Sequence, residues 1–335
     1  MKYVLIYNWQ ASIDDWFAKK IMDQGHEVVI LDNTHGEKLR YKKWYRIFNV
    51  LHCFLMALRA IGVDKDSVII SMCATPGIIA AILDKKRHKI LALNLLCHHS
   101  VKPSLGEKLR NMLYTEAFRN NNLMATCNTL EEIEKNAKIF SIENHKRMIV
   151  LEDAFNLDIA QDDYISEKGS YIFSGGASVR DWDTVVKAAK KLPEVQFHIV
   201  AREEDWPKST DVDNIKTRFN VSMKEFYQDA FKSYALAIAL NSTKTAGLLV
   251  VFQAIAHGKL TIVTKTPATS RVIPEEYHKM LLVEMFDADD LSNKINKVLE
   301  LESEEYCKIS DEIRKHLMDN YSQDAYFMKI WNLLN

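Results

Sequence analysis

Two short stretches combine the residue types that hold an anion. The first is Ser174-Gly175-Gly176-Ala177-Ser178-Val179-Arg180-Asp181, which follows an apolar run and precedes a helical pattern. Adjacent glycines let backbone N–H groups approach phosphate oxygens, a helix N-terminus adds partial positive charge, and Arg180 offers a charged fork. The same residues also describe a tight turn in which Arg180 pairs with Asp181. No Gly-x-Gly-x-x-Gly occurs, so this is not a dinucleotide fingerprint. The second stretch runs from Asn241 to Lys259, where the small-residue loop Thr245-Ala246-Gly247 stands beside Lys244 and before a helix starting at Leu248. Inside that helix Gln253 is polar among apolar neighbours. Its amide either meets ligand hydroxyls or is a solvated or internally satisfied helix position. Two such loops on neighbouring strands can clamp a diphosphate.

Proton chemistry has two candidate sources. His98-His99 follow the apolar run Lys89 to Leu96, and Asp14-Asp15 follow the first apolar run and its loop, Trp9-Gln10-Ala11-Ser12. An imidazole at a strand end can take a proton from a hydroxyl, and a carboxylate can do so if burial raises its pKa. The bland alternatives are a pair of solvated loop histidines and a charge at a helix N-terminus. A further cluster, Lys38, Arg40, Lys42, Lys43 and Arg46, is interleaved with Tyr41, Trp44 and Tyr45. That mixture suits the headgroups of an anionic membrane, or else a solvated helix face whose aromatics are core. No Cys, His or carboxylate cluster has metal-ligand spacing, so the chemistry is expected to be metal-independent and without a cofactor.

These residues need a scaffold that brings strand ends together. Short β-rich runs alternate with helical patterns: Tyr3 to Tyr7, Glu27 to Leu31, Val68 to Met72, Lys89 to Leu96 and Leu123 to Cys127 read as strands, with helices between them. After Ile149 to Leu151 the pattern lapses into the polar stretch Asn156 to Gly169. It resumes with strands Tyr171 to Ser174, Gln196 to Ala201, Ala235 to Ala239 and Leu260 to Thr264, and ends in helices Ala288 to Glu300 and Glu304 to Leu334. Continuous apolar strands alternating with helices predict an α/β chain of two tandem Rossmann-like, doubly wound domains, with parallel sheets covered on both faces. The expected domains are 1–160, 161–318 and a C-terminal helix, 319–335, returning to the first. Ligands of such folds sit at the C-terminal ends of the strands, here in a cleft between the domains.

Composition agrees and narrows the class. The 335 residues suffice for two domains, and 27% charged residues with net charge −1 describe a folded chain. With 44 Lys+Arg against 45 Asp+Glu there is no basic surplus to neutralise nucleic acid. Counted before residue 160, 22 basic and 18 acidic residues leave a modest positive first half. Five cysteines without Cys-x-x-Cys spacing suit a reducing compartment, and no apolar run reaches the roughly 20 residues of a spanning helix. A cytoplasmic protein, with the basic cluster at the inner membrane face, is the expectation.

One resemblance unites the stretches. The Phe173-Ser-Gly-Gly176 loop, Glu225-Phe-Tyr227, Tyr234-Ala-Leu-Ala-Ile-Ala239 and Gly247-Leu-Leu-Val-Val-Phe-Gln-Ala-Ile-Ala-His-Gly-Lys-Leu-Thr-Ile-Val263 resemble the donor domain of GT-B glycosyltransferases of the family-4-like group. More weakly, Gly25-His-Glu-Val28, Leu95 to His99 and Asn320-Tyr-Ser322 resemble elements of that family's first domain and closing helix. The resemblance implies transfer of a sugar from a nucleotide-diphosphate sugar, a UDP-sugar above all, to a hydroxyl of a glycan or lipid-linked glycan, as in bacterial cell-surface polysaccharide synthesis. It implies donor binding by Ser174, Gly175, Gly176, Arg180, Arg202, Asn220, Val221, Lys244, Thr245, Ala246, Gly247, Leu248 and Gln253. It places acceptor contacts at Trp9, Gln10 and Ser12, and catalysis at His98, His99 or Asp14.

Two departures from the family pattern stand out. Thr245 and Gln253 occupy the positions of its two glutamates, and Gly176 that of its phosphate-binding arginine, with Arg180 four residues later. Gln253 can still bond ribose hydroxyls, whereas Thr245 cannot replace a carboxylate. The stereochemical outcome therefore stays open, as do two other readings, a catalytically silent binding partner and a nucleotide-sugar epimerase.

Overall fold

The computed structural model describes residues 1–12, 14–33, 45–85, 87–97, 100, 102–142, 147–152, 154, 169–177, 179–207, 212–243 and 248–334, with 45–47 as backbone only. The chain divides into two compact units, 1–152 and 153–335.

In the first unit six parallel strands lie in the order β2-β1-β3-β4-β5-β6. They are β1 (Lys2–Ile6), β2 (Glu27–Leu31), β3 (Val68–Ser71), β4 (Lys89–Ala92), β5 (Leu123–Cys127) and β6 (Met148–Val150). Central strands such as β1 and β3 are apolar without alternation because both of their faces are covered. Helices Trp16–Asp23, Tyr45–Ile61, Ala74–Leu83, Leu105–Ala117 and Leu130–Ile139 connect the strands. The first crossover runs one way across the sheet and the next four run the other way. Right-handed connection therefore puts Trp16–Asp23 on one face and the other four helices on the opposite one. Helix Ala74–Leu83 lies against the strands at Gly77, where a Cβ would come within 2.9 Å of the Cβ atoms of Ser71 and Ala92.

The helix starts follow local chemistry. Asp15 accepts from the N–H groups of Phe17 and Ala18, Thr129 from that of Glu132, and Ser104 forms a reciprocal cap with Glu107. The same reciprocal cap opens Met223–Phe231 in the second unit, between Ser222 and Glu225.

The second sheet has the order β12-β11-β10-β7-β8-β9, again all parallel. Its strands are β7 (Ile172–Gly175), β8 (Phe197–Ala201), β9 (Ile215–Phe219), β10 (Ala235–Ile238), β11 (Thr261–Thr264) and β12 (Leu282–Val283). Helix Trp182–Lys191 covers one face. Met223–Phe231 and Leu248–Ala256 cover the other, because their crossovers run in the reverse direction.

The elements depart from sequence expectation in four places. Strand β4 ends at Ala92, just before Asn94 in the left-handed region (φ 58°), although the N–H groups of Leu93 and Leu95 still donate to the Ser71 and Thr126 carbonyls of the flanking strands. Strands β9 and β12 sit at the two edges of the second sheet, where a polar or very short strand suffices. Residues 45–61, for which no element is expected, form a continuous helix. The long C-terminal helix is two, Ser303–Tyr321 and Gln323–Leu334, separated by the extended backbone of Ser322.

Candidate functional site

A cavity of about 410 Å³ opens at the C-terminal ends of three neighbouring strands, β7, β8 and β9. Each strand contributes its following residues: Gly176, Ala177 and Arg180 after β7, Arg202 after β8, and Asn220 and Val221 after β9. The two helices on that face close the apolar side with Met223, Phe226, Tyr227, Leu249 and Val250. A parallel sheet places all its strand ends on one edge, so residues 176 to 250 meet there although 74 positions apart in sequence. The wall combines a flat aromatic and aliphatic side with a cationic corner, a composition suited to a planar base joined to phosphates.

The cationic corner is built around Arg180, which is buried and donates from Nε to the Gly175 carbonyl at 2.8 Å. Its own backbone bridges Leu240, and its carbonyl accepts from Asn241 Nδ2 at 3.1 Å. Gly176 makes this position possible. With φ at 133°, any Cβ there would stand 2.3 to 2.6 Å from the guanidinium. Gly175 has a different reason, since a Cβ would collide with the rings of Phe173 and Phe226 at 2.6 to 2.7 Å. Asp181 directs its carboxylate to the N-terminus of helix Trp182–Lys191, accepting from Thr184 N at 3.1 Å. Burial lowers the Arg180 guanidinium to about 10, so an anion in the cavity would offset part of that desolvation.

Other residues of the expected donor set fall nearby without lining the cavity. Ser174 is buried in β7, and its Oγ has no hydrogen-bond partner among the described residues. Leu248 opens the helix that supplies Leu249 and Val250. Gln253, one turn further, is 3% exposed, and its backbone carbonyl accepts from His257 Nδ1 at 2.8 Å. Lys244, Thr245, Ala246 and Gly247 lie outside the described residues, as do His98 and His99. So do Lys38, Arg40, Lys42, Lys43 and Trp44, while Arg46 is described by its backbone alone.

In the first unit Asp14 is exposed and pairs with Lys19 at 3.2 Å, whereas Asp15 is the helix cap and accepts from the Tyr7 hydroxyl. Trp9, Gln10 and Ser12 form an exposed loop after β1, with Trp9 edge-on to Tyr7 and Ser12 Oγ accepting from the Asp14 N–H. Among the described residues no group of three or more His, Cys, Asp or Glu is placed to hold a metal ion. Phe226 and Tyr227 escaped the expected donor set. Their signal was the Glu225-Phe-Tyr motif, but their role depends on the helix packing over β7.

A larger depression, about 650 Å³, lies between Lys187, Lys190 and Lys191 and the segment Met285 to Asp289. It sits beside the outer face of helix Trp182–Lys191 and gathers none of the β7, β8 and β9 ends.

With this geometry, comparison is informative. Residues 166–316 match the family model described as glycosyl transferases group 1. Among solved structures, a glycosyltransferase from Rickettsia africae ESF-5 is similar with a TM-score of 0.67 at 16% identity, covering 99% of this chain and 97% of that one. An E. coli structure described as trehalose-6-phosphate bound with UDP-2-fluoro glucose gives 0.68 at 10% identity, over 99% of both chains. S. aureus TarM, solved with UDP, gives 0.60 at 16% identity, over 86% of this chain and 59% of its own. No curated protein matches the sequence significantly. Two parallel-sheet units of this order define the GT-B α/β class. The match to glycosyl transferases group 1 covers most of the second unit, and the likeness to the solved structures is one of fold over both units.

Proposed function

We propose that the chain transfers a sugar from a UDP-sugar to a hydroxyl of a glycan or lipid-linked glycan, in the manner of bacterial cell-surface polysaccharide synthesis. The observation that carries the reading is the buried Arg180 at the corner of an aromatic cavity on three strand ends. The similar S. aureus and E. coli structures are in complex with UDP and with UDP-2-fluoro glucose, which favours uridine. Phe226, Tyr227 and Val221 would flank the base, and Arg180 with the N–H groups after β7 would meet the diphosphate. Lys244 and the Thr245 to Gly247 loop would close over it, with Gln253 directed to the ribose.

In the reaction the acceptor oxygen attacks the anomeric carbon, and the bond from that carbon to the β-phosphate oxygen breaks. The electron pair leaves with UDP, and the hydroxyl proton passes to a base, for which His98 or His99 is proposed ahead of Asp14. Arg180 contributes by countering charge as it develops on the leaving diphosphate, an effect that grows in a desolvated corner. No step calls for a metal. Trp9, Gln10 and Ser12 would meet the acceptor, and Lys38, Arg40, Lys42, Lys43 and Arg46 would hold the first unit to an anionic membrane.

Titration calorimetry with UDP, followed by an assay of UDP release from UDP-sugars, tests the reading. Saturable UDP binding with release stimulated by acceptor is expected. No binding of any nucleoside diphosphate would sink the donor assignment. Binding without release or transfer would favour the silent reading suggested by Thr245 and Gln253, and epimerised donor would indicate the third. Alanine at His98 and at His99 should spare UDP affinity while one of the two lowers transfer by about 10²-fold. If both variants keep full activity, the base is elsewhere.

A further inference from the structure

Helix Tyr45–Ile61 is apolar on both of its faces. Cys53, Met56, Ala57 and Ala60 are buried, while Phe48, Val50, Leu51, Phe54, Leu55 and Leu58 are 39 to 56% exposed on the other side. At about 100° per residue these six side chains cover an arc of roughly 160°. A surface helix ordinarily turns polar residues outward, and one that is apolar all round is ordinarily covered. The helix has no Asp or Glu, and Arg59 is exposed beside the apolar arc.

The feature continues beyond one helix. Leu105, Leu109, Met112 and Leu113 are exposed along a single stripe of Leu105–Ala117, on the same face of the sheet. Both helices pack on Ala74–Leu83, whose Ile79, Ile82 and Leu83 are half-buried between them. Exposed Lys102 and Lys108 flank the second stripe. Helix Leu130–Ile139, on the same layer, instead presents Glu131, Glu134, Lys135 and Lys138, so the layer itself does not impose an apolar exterior.

We propose that this face docks on an anionic lipid surface, with helix Tyr45–Ile61 lying in the plane of the interface and its six outer side chains inserted among the acyl chains. Charge selects this occupant. The nine residues Lys38 to Arg46 carry five cations and no carboxylate, and they lead directly into the helix. Exposed Arg59, Lys102 and Lys108 border the same face, and two copies joined about a two-fold axis through it would bring like charges together, whereas anionic headgroups attract them. The helix is about 25 Å long, enough for a surface anchor and too short and too well packed on its inner face to span. No described helix is long and apolar enough to cross a membrane. The proposal rests on the electrostatic attachment proposed above for its choice of an anionic surface, and adds an apolar contribution that salt cannot screen.

The test keeps charge constant. A variant carrying Leu51→Asn, Phe54→Ser, Leu55→Asn and Leu58→Ser retains every cation, and all four sites are exposed. Co-sedimentation uses vesicles of phosphatidylcholine alone and of phosphatidylcholine with phosphatidylglycerol, at low and high salt. The parent should bind the mixed vesicles and keep part of that binding at high salt, and the neutral variant should lose about tenfold or more at both salts. A variant with Ser at Lys38, Arg40, Lys42, Lys43 and Arg46 should lose only the salt-sensitive part, so failure of the apolar face and failure of the basic segment give different patterns. UDP binding and the thermal midpoint of the neutral variant should match the parent. If its midpoint falls, Leu55→Asn alone should still weaken binding about threefold. Equal binding by parent and neutral variants overturns the proposal. So does a parent that self-associates without lipid while the neutral variant stays monomeric, which would make a second copy the occupant.

Discussion

Helix Tyr45–Ile61 of the first unit and helix Trp182–Lys191 of the second both cover a parallel sheet, yet their outer faces are opposites. Trp182–Lys191 buries Trp182, Val185, Val186, Ala188 and Ala189 and turns Asp183, Lys187, Lys190 and Lys191 outward, with Lys191 paired to Asp289 at 2.6 Å. Tyr45–Ile61 is apolar on both sides. A parallel sheet asks only that the inner face of each helix be apolar. The outer face is left for another role, and the strand ends are where the second unit departs from the rule by burying the charge of Arg180. Apolar surface outside in one unit and a cation inside in the other are both departures from what stability alone selects, which is where function is expected.

The sharpest test of this contrast is truncation of apolar side chains. Leu291→Ala, at a fully buried position of helix Ala288–Leu299, should cost about 2 to 5 kcal/mol in denaturant unfolding. Leu55→Ala should change stability by less than about 0.5 kcal/mol. Equal losses would mean that the outer face of Tyr45–Ile61 is packed in solution, and the contrast would disappear. Next, Arg180→Ala should weaken UDP binding by about 1.5 to 3 kcal/mol in titration calorimetry. Unchanged affinity would make the buried cation a structural feature like any other.

Gly175→Ala should then cost about 1 to 3 kcal/mol in thermal unfolding, because the added methyl must displace the Phe173 or Phe226 ring. A neutral outcome would show that the aromatic wall of the cavity yields. The smallest effect concerns a device common to both units, the reciprocal caps Ser104–Glu107 and Ser222–Glu225. Hydrogen bonds from Ser104 and Ser100 lower Glu107 to about 2, and those from Ser222 lower Glu225. A carboxylate lowered on folding stabilises the helix start above its unfolded pKa of about 4.5 and loses that contribution as pH falls toward its folded value. Amide exchange at the start of Leu105–Ala117 should therefore hold steady from neutral pH to about 4.5, after correction for intrinsic rates, and loosen between there and about 2. Loosening that begins above pH 5 would contradict the cap.

The strands buried on both faces were legible because continuous apolar runs have few other uses, and β2 and β5 match their expected limits residue for residue. Where reading failed, the deciding information was not local. Strand β9, with Lys216 and Arg218 between half-covered Ile215 and Thr217, has no apolar run to announce it, and it exists because β8 offers an open edge. Leu93 to Leu96 looked like strand because residue type cannot report the left-handed turn at Asn94. At the site, the glycines and Arg180 were visible as types, but the reason for Gly176 is a guanidinium four residues away that packs on its bare Cα. The aromatic wall was visible only as a motif, since Phe226 reaches the cavity through a helix crossing β7. The apolar exterior of Tyr45–Ile61 is not legible in the sequence, for composition does not distinguish a covered face from an open one.

The ends of the two sheets carry a consequence for solubility. Six parallel strands leave two open borders in each unit, and a border is a template on which another chain can add a strand. Here β12 has two residues and β6 three, too few to seat a guest strand. Strand β9 is longer, but its exposed Lys216 and Arg218 would have to be buried beside an incoming backbone, and Arg218 is already tied to Glu225 and Asp229 at 2.8 and 2.7 Å. Fibril-like growth is therefore blocked at these three borders. Overexpressed protein that precipitates should do so without strand addition at β6, β9 or β12.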